Sequence, residues 1–331
     1  MGKFANVLVG ALAVLAFSSC AEEKKGYVID GQVTDVIDGM MYLKKYVGKS
    51  FVDVDSTAIV DGKFKFEGVA SEALAHGLTT RKESSRPMVF FLENNAMNIT
   101  MNESGKEMTI VGSEANDIYL RNAKLTRSKG YSLDSLIAAH PASPVAAYFV
   151  VKDFAYKLDL AGMKAVRAQF DASLAGTEYI NQIESMIARM EKVQVGSEAP
   201  DFTLPDVDGN PVSLSSFRGK YVLVDFWAAW CPDCRKENPN IVAAWDKYKG
   251  KNFAVLGVSL DRNRDQWLAA IEKDGLTWTQ VSDLKYWSSD AAVLYCIRWI
   301  PMSFLIDPEG KIVAIGLEGE ELHNKLEELL K

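Results

Sequence analysis

Short runs of alternating apolar and polar residues fill residues 27–112 of the chain. Phe64 and Phe66 alternate with charged residues directly after Asp61-Gly62, a dipeptide typical of tight hairpin turns. Residues 88–92 are wholly apolar, which suits a strand in a core. This period of two predicts antiparallel strands, and we expect an all-β, sandwich-like domain of about seven strands.

Apolar residues recur at helical spacing over residues 113–193. Ser143-Pro144 is typical of an N-cap followed by a first-turn proline. Asp159 can cap a second helix that extends to Leu174, and Thr177 can cap a third. The apolar faces behind these caps indicate core packing rather than a cofactor or partner groove. We therefore expect a helical connector between two domains.

Strands and helices alternate over residues 194–331, after a boundary marked by glycine and proline. Apolar runs at 221–224 and 253–260 predict core strands, and residues 264–273 predict an amphipathic helix. Asp208-Gly209-Asn210 predicts a hairpin. The alternation predicts an α/β domain with its reactive residues at the carboxyl end of a central strand.

The first twenty residues have the pattern of a targeting segment. Lys3 is followed by an apolar run over residues 7–17, too short to span a bilayer. Small residues then precede Cys20, which resembles a bacterial lipoprotein signal in which that cysteine is lipidated after cleavage. The resemblance implies a signal peptide at 1–19 and a tether at 20–26. An ordinary secretory signal is the alternative, and both place the mature chain where disulfides persist.

Composition and charge exclude some classes of function. The chain of 331 residues is 48% hydrophobic and 24% charged, as expected for about two folded domains. Its formal net charge of −7, without a run of lysine and arginine, argues against a nucleic-acid partner. The three histidines share no ligand-like spacing, and we expect neither a metal nor a cofactor. His76, next to Gly77, is expected at a turn or at the surface.

The strongest chemical signal is Cys231-Pro232-Asp233-Cys234, where an apolar strand is predicted to turn into a helix. A helix N-terminus favours a thiolate at Cys231, and Cys234, one turn further, can close a disulfide with it. A purely structural disulfide over so short a loop would constrain the unfolded chain little. A zinc site needs more ligands than the sequence supplies. The pair is predicted to cycle between dithiol and disulfide.

Several further residues extend this signal into a family resemblance. Residues 195–331 resemble the thioredoxin-like, membrane-tethered thiol-disulfide oxidoreductases of the TlpA and ResA type. The residues that carry the resemblance are Val224-Asp225-Phe226-Trp227, Trp230-Cys231-Pro232-Asp233-Cys234, Glu237 with Pro239, and Ile300-Pro301. The β-rich segment resembles a domain of unknown function that precedes such domains in lipoproteins of Bacteroides-type bacteria.

The resemblance implies catalytic roles for three residues. Cys231 would attack a disulfide of the client, the protein whose disulfide is exchanged, and Cys234 would resolve the mixed disulfide. Asp225 would take the proton from Cys234, and its position on an apolar strand predicts a raised pKa. An aspartate that only fixes a backbone turn is the alternative.

The resemblance also implies residues that bind the client. Trp230 is expected to form an apolar shelf beside the nucleophile, whereas Trp227 is expected to pack in the core. Pro301 would be a cis proline facing the cysteine pair, and it would expose the backbone of Ile300 for strand-like pairing with the client. Cys296 is expected to be a small buried residue at a helix end, with a third redox thiol as the alternative.

Pro232 and Asp233 depart from the dipeptides common in the family, and we expect them to tune the redox potential. Pro232 suits the first helical turn. The charge of Asp233 is expected to destabilise the thiolate and to shift the couple toward a reductant's potential, with Arg235 and Lys236 acting in the opposite direction.

These inferences together predict a lipid-anchored, extracytoplasmic protein-disulfide reductase of the cell envelope. We expect disulfide-containing envelope proteins as clients and a membrane thiol-reductant as electron donor. Ala21 after the lipidated cysteine favours the outer membrane. Oxidase or isomerase chemistry is one alternative.

Two further alternatives belong to other classes of function. A peroxiredoxin-like thiol peroxidase is suggested by Ala199-Pro200-Asp201-Phe202. However, Val224 and Ala228 stand where that chemistry needs a proline and a hydroxyl residue. The other alternative is a non-enzymatic, lipid-anchored binding module whose working part is the β-domain.

Overall fold

The structure, a computed structural model, describes residues 26–47 and 50–331. The predicted signal peptide and Cys20 lie outside the described residues. The chain forms two compact units, one ending at Asp117 and the other beginning at Ile118. None of the helices in the described part of the chain is long and apolar enough to cross a membrane.

The first unit contains two four-stranded sheets. Its strands are β1 (Tyr27–Val33), β2 (Gly39–Val47), β3 (Ser50–Ile59), β4 (Lys63–Gly68), β5 (Leu74–Thr79), β6 (Met88–Leu92), β7 (Ala96–Met101) and β8 (Met108–Val111). The strand orders are β4-β1-β7-β8 and β3-β2-β5-β6. Both sheets contribute residues to one apolar core, so the predicted all-β, sandwich-like domain is confirmed. The expected antiparallel pairing is wrong for β1 and β7, which pair in parallel.

Alternation places the side chains of this domain as the sequence predicts. Phe64 and Phe66 are buried in the core, whereas the lysines between and before them are exposed. Asp61 and Gly62 both have positive φ, +50° and +74°, the conformation of a tight turn. The turn is closed by a single Val60–Lys63 bridge and connects β3 of one sheet to β4 of the other. His76 contradicts its expected surface position. It is buried because all six residues of β5, an interior strand of its sheet, are buried.

Five α-helices connect the two domains. They are α1 (Glu114–Asn122), α2 (Leu133–Ala139), α3 (Pro144–Phe149), α4 (Leu160–Ala168) and α5 (Glu178–Lys192). Ser143 and Asp159 cap α3 and α4 through their side-chain oxygens, as predicted. The predicted extension of α4 to Leu174 is wrong. The carboxylate of Asp171 accepts the N–H of Ser173 and begins a separate 3-10 turn.

The α/β domain contains a five-stranded sheet and a separate two-stranded hairpin, seven strands in all. Its strands are β9 (Thr203–Pro205), β10 (Pro211–Ser213), β11 (Tyr221–Trp227), β12 (Phe253–Ser259), β13 (Thr279–Val281), β14 (Met302–Ile306) and β15 (Ile312–Ile315). Its helices are α6 (Pro232–Tyr248), α7 (Arg264–Asp274), α8 (Asp290–Leu294) and α9 (Gly319–Leu329). The short strands β9 and β10 form the predicted hairpin.

The central strand of the sheet is β11. The strand order is β13-β12-β11-β14-β15, with β11 parallel to β12 and antiparallel to β14. Residues 222–227 are buried because both faces of the sheet are covered. The predicted thioredoxin-like α/β fold is confirmed, and its central strand leads directly into the cysteine turn.

The helices α2 to α5 belong to the same compact unit as the α/β domain. The guanidinium of Arg298 donates through Nη1 to the backbone oxygen of Leu158 at 2.6 Å and to that of Ala155. These hydrogen bonds join the helical connector to the segment that immediately precedes Ile300.

Candidate active site

The two cysteines lie at the first turn of α6. Cys231 is the N-cap residue, and its Sγ accepts the N–H of Cys234 at 3.1 Å. Pro232 occupies the first helical position, where its missing N–H costs no hydrogen bond. The orphan N–H groups of a helix N-terminus therefore point toward the sulfur of Cys231.

The structure shows the oxidised form of this pair. Cys231 and Cys234 are joined by a disulfide, with 5.3 Å between their Cα atoms. Cys231 is 5% exposed and Cys234 is 1% exposed. Cys231 is therefore the sulfur with more access to solvent, which is the position expected of the attacking residue.

The loop before β14 approaches the nucleophile from another part of the chain. The Ile300–Pro301 peptide bond is cis. The backbone oxygen of Ile300 lies 3.7 Å from Sγ of Cys231, across 69 positions of sequence. The structure thus brings together the cysteine and the two residues that were expected to bind the client.

Asp225 is a buried carboxyl group on β11, with 3% of its surface exposed. Burial raises its pKa to about 7, and the nearby charges of Glu237 and Glu318 act in the same direction. A carboxyl group with this pKa exchanges a proton near neutral pH, as a general base for a thiol requires. The raised pKa predicted from the sequence is present in the structure.

Glu318 is a functional neighbour that sequence reasoning missed. Burial is the largest cause that raises the pKa of Glu318, and the charges of Glu237, Asp233 and Glu321 raise it further. Glu237 is fixed beside it because its Oε1 accepts the N–H of Gly319 at 2.8 Å. The only signal in the sequence was an acidic residue just before the last helix. The tertiary fold, and no local pattern, places that residue next to α6.

Charged residues of α6 are paired, which changes the expected tuning by Asp233. Lys236 lies 3.1 Å from the carboxylate of Asp233, and both side chains are exposed. Arg235 binds both carboxylate oxygens of Asp274 and donates to the backbone oxygen of Ala229 at 3.2 Å. Arg235 and Lys236 were both expected to oppose the charge of Asp233, but only Lys236 forms an ion pair with it.

The expected apolar shelf is larger than Trp230 alone. Trp230 is 41% exposed, and its ring centroid lies 5.1 Å from that of Tyr286 and 6.0 Å from that of Trp287. These three residues are called the aromatic patch. Trp227 is buried, as expected, and donates through Nε1 to Gln280. Sequence reasoning missed Tyr286 and Trp287, whose only signal was an aromatic pair within a polar loop.

Cys296 is the one cysteine in the described residues that is outside a disulfide. It follows α8, is partly buried and has a left-handed φ of +52°. Its Sγ lies 3.8 Å from the backbone oxygen of Met186 on α5. It also lines a cavity of about 470 Å³ between the helical connector and the α/β domain. These contacts place it at the junction of the two segments.

Two segments of the chain match known families. Residues 195–315 match the AhpC/TSA family, and residues 27–119 match a domain of unknown function, DUF4369. The thiol-disulfide oxidoreductase ResA of Bacillus cereus is 30% identical over 158 residues, which cover 48% of this chain and 89% of that protein. ResA of Bacillus anthracis is 31% identical with the same coverage. The chain belongs to the ResA-type thiol-disulfide oxidoreductases.

A solved structure also matches the C-terminal part of the chain. The thioredoxin domain of a thiol-disulfide oxidoreductase from Bacteroides vulgatus is 46% identical; the match covers 42% of this chain and 99% of that one, with a TM-score of 0.40. The family membership, together with the cysteine pair on α6, makes this protein a thiol-disulfide oxidoreductase. The prediction of an enzyme with this chemistry is confirmed.

Proposed function

We propose that the protein reduces disulfides of client proteins in the cell envelope through Cys231 and Cys234. The observation that carries the proposal is the disulfide at the N-terminus of α6, with the backbone oxygen of Ile300 beside the more accessible sulfur. A client strand can pair with that backbone while its own disulfide meets Cys231.

The exchange begins from the dithiol form. The thiolate of Cys231 attacks one client sulfur, the client disulfide breaks, and the other client sulfur leaves and takes a proton. Asp225 then accepts the proton of Cys234, whose thiolate attacks Sγ of Cys231. The second client thiol leaves, and the enzyme disulfide seen in the structure forms. Two electrons pass to the client, and a membrane thiol-reductant restores the dithiol.

The reductive direction is supported by charge near the cysteines. The carboxylate of Asp233 lies in the first turn of α6, where it counteracts the stabilisation of a thiolate at Cys231. Lys236 pairs with Asp233, but both side chains are exposed. The pair therefore cancels only part of the effect of Asp233 on the thiolate. A redox titration against glutathione tests the direction, and a potential close to that of strong oxidants would contradict it.

The cellular location is proposed from the sequence. Small residues before Cys20 support lipidation, and Ala21 supports retention in the outer membrane. Labelling of cells with a palmitate analogue should mark the wild type and not the Cys20→Ala variant. Labelling of both proteins, or of neither, would contradict the lipid anchor without affecting the exchange chemistry.

Loss of the nucleophile tests the enzymatic proposal itself. The reduced wild type should reduce a model protein disulfide, and Cys231→Ala should abolish this reaction because no thiolate remains to attack. Cys296→Ala is the matched control, since it removes a thiol outside the disulfide. Unchanged reduction by Cys231→Ala would show that Cys231 is not the attacking residue.

A further inference from the structure

Most of the helical connector lies outside the two segments that match known families. Those matches cover residues 27–119 and 195–315, so residues 120–194 belong to neither. These connector residues are nevertheless part of the same compact unit as the α/β domain. They contact the loop before β14, which carries Ile300 beside the nucleophile. A function of the connector in disulfide exchange would act through this loop.

Arg298 joins the connector to this loop. Nη1 of its guanidinium donates to the backbone oxygen of Leu158 at 2.6 Å and also to that of Ala155. Ala155 begins the 3-10 turn Ala155–Lys157, and Leu158 is the C-cap of that turn. Backbone oxygens at the end of a helix lack partners within the helix, and a basic side chain can bind them. Arg298 therefore binds the connector where two such acceptors lie close together.

Hydrogen bonds define the path of the chain from α8 to Arg298. The N–H of Cys296 bonds to the backbone oxygen of Val293 at 3.1 Å. The N–H of Ile297 bonds to the backbone oxygen of Ala292 at 2.8 Å. With the positive φ of Cys296, +52°, these bonds form a Schellman motif at the end of the helix. Arg298 follows immediately, so its backbone has a defined position relative to the α/β domain.

Arg298 also contacts the residue that directly precedes Ile300. Its Cζ lies 5.0 Å from the ring centroid of Trp299, a distance typical of a cation–π contact. The guanidinium is partly buried, and its Nε has no hydrogen-bond partner among the described residues. Because a charge removed from water needs compensating hydrogen bonds, the two bonds to the connector stabilise this position of the side chain.

We propose that Arg298 is a positioning residue, through which the connector holds the backbone of Ile300 in the orientation that a client strand pairs with. The inference rests on the proposed reductase function. The hydrogen bonds of Arg298 go to the connector and not to the cysteine pair, so its effect passes along the backbone to Ile300. A loop that is ordered beforehand lowers the entropy cost of client binding. The connector therefore favours exchange with polypeptides without changing the reactivity of Cys231.

Two disulfides, one with and one without a peptide backbone, test the proposal. The first is a disulfide-linked homodimer of a short peptide. The second is bis(2-hydroxyethyl) disulfide, which cannot pair with Ile300 as a strand does. The protein is reduced beforehand, so that its own dithiol supplies both electrons in a single turnover. The release of product thiol gives a second-order rate constant for each disulfide, and the ratio of the two constants is compared among variants.

Two substitutions at Arg298 separate its hydrogen bonds from its volume. Arg298→Met should lower the constant for the peptide about fivefold, because client hydrogen bonds to Ile300 are then poorly aligned, and should change that for the small disulfide less than about twofold. Arg298→Lys should retain most of the wild-type ratio. Nη1 alone makes both bonds to the connector, and an ammonium group can donate both. A residue that only filled space would be replaced by methionine at least as well as by lysine.

Arg167→Met is the matched control. The side chain of Arg167 is 24% exposed, and its Nε donates to Glu184 at 2.8 Å, within the connector. The substitution removes a partly buried arginine from the connector and leaves the contact with the loop before β14 in place. The ratio of the two constants should equal that of the wild type. The redox equilibrium with glutathione should be the same in all these variants, since the surroundings of the cysteine pair are unchanged.

The two constants distinguish positioning from damage to the fold. An equal loss for both disulfides in Arg298→Met shows a purely structural role and overturns the proposal. A wild-type ratio in Arg298→Met, or a ratio that Arg298→Lys and Arg298→Met lower equally, overturns it as well. A wild type that reduces neither disulfide contradicts the reductase function instead.

Discussion

Asp225 is a buried carboxyl group on β11, the central strand of the α/β domain. Removal from water disfavours its charged form, and the charges of Glu237 and Glu318 disfavour it further. With a pKa of about 7, it is present in both protonation states at neutral pH. Both the stability of the protein and the exchange reaction are therefore expected to depend on pH through this group.

The contribution of Asp225 to the stability of the wild type should fall as pH rises between about 4 and 7. The folded protein retains the proton of Asp225 in this range, whereas the unfolded chain, with an ordinary pKa of about 3.9, has lost it. The slope contributed by this group is up to about 1.4 kcal/mol per pH unit. Denaturation with urea at pH 5 and pH 7 measures it. Asp225→Asn should lack this component, and an unchanged slope in the variant would contradict the raised pKa.

The resolution of the mixed disulfide should depend on pH in the opposite sense. Its rate should increase as pH rises through about 7, because only the carboxylate of Asp225 accepts the proton of Cys234. Asp225→Asn should slow this step by about a hundredfold and remove that dependence. Stopped-flow measurement with a pre-formed mixed disulfide at Cys231 provides the profile. Equal rates in the two proteins would leave Asp225 with a structural role.

Helix α6 is the element that organises the site. Its N-terminus carries the cysteine pair, and its first turn is attached to α7 by Arg235 and Asp274. Asn238 donates to the same carboxylate at 2.6 Å, and the pKa of Asp274 is lowered, although burial alone would raise it. The hydrogen bond from Arg235 to Ala229 links this ion pair to the turn just before the cysteines.

Removal of one partner of this ion pair should destabilise the domain. Asp274→Ala leaves Arg235 partly buried without its carboxylate, and we expect a loss of about 1–3 kcal/mol in the free energy of unfolding. Asp246→Ala is the control. It breaks an exposed pair with Lys249 on the same helix and should cost less than about 1 kcal/mol. Urea denaturation of both variants tests the difference, and equal losses would contradict it.

The exchange surface is assembled by the whole α/β domain. The turn before α6 contributes the nucleophile, and the loop before β14 contributes the backbone of Ile300. The segment before α9 contributes Glu318, and the loop after β13 contributes the two outer rings of the aromatic patch. The helical connector contacts the loop before β14 through Arg298. It is therefore placed to influence that loop as well.

The Cys234→Ala variant should trap clients on Cys231 in native cells. Cys234→Ala retains the nucleophile and lacks the resolving thiol, so mixed disulfides at Cys231 should accumulate. Non-reducing electrophoresis and mass spectrometry identify the partners, with the Cys231→Ala/Cys234→Ala double variant as control. Recovery of no disulfide-linked partner would count against the proposed clients.

Local sequence was sufficient to determine the elements and the reactive pair. Asp61-Gly62 specifies a turn because both positions have positive φ, and Ser143-Pro144 specifies a helix start through one side-chain hydrogen bond. Cys231 and Cys234 lie within four consecutive residues. The strand before them and the helix after them are therefore enough to predict a reactive pair at a helix N-terminus. The end of α4 was misplaced because Asp171 offers a competing local cap.

Only the tertiary structure decided which distant groups surround that pair. Ile300 meets Cys231 because β11 and β14 are neighbours in the sheet, a contact that the family resemblance implied but that no local pattern encodes. Glu318, Tyr286 and Trp287 are also distant from the cysteines in the sequence, and the fold brings the segments that carry them to the site. The pKa of Asp225 combines both sources. An apolar strand predicts its burial from the sequence, but the acidic groups that raise the pKa further come from contacts that no local pattern encodes.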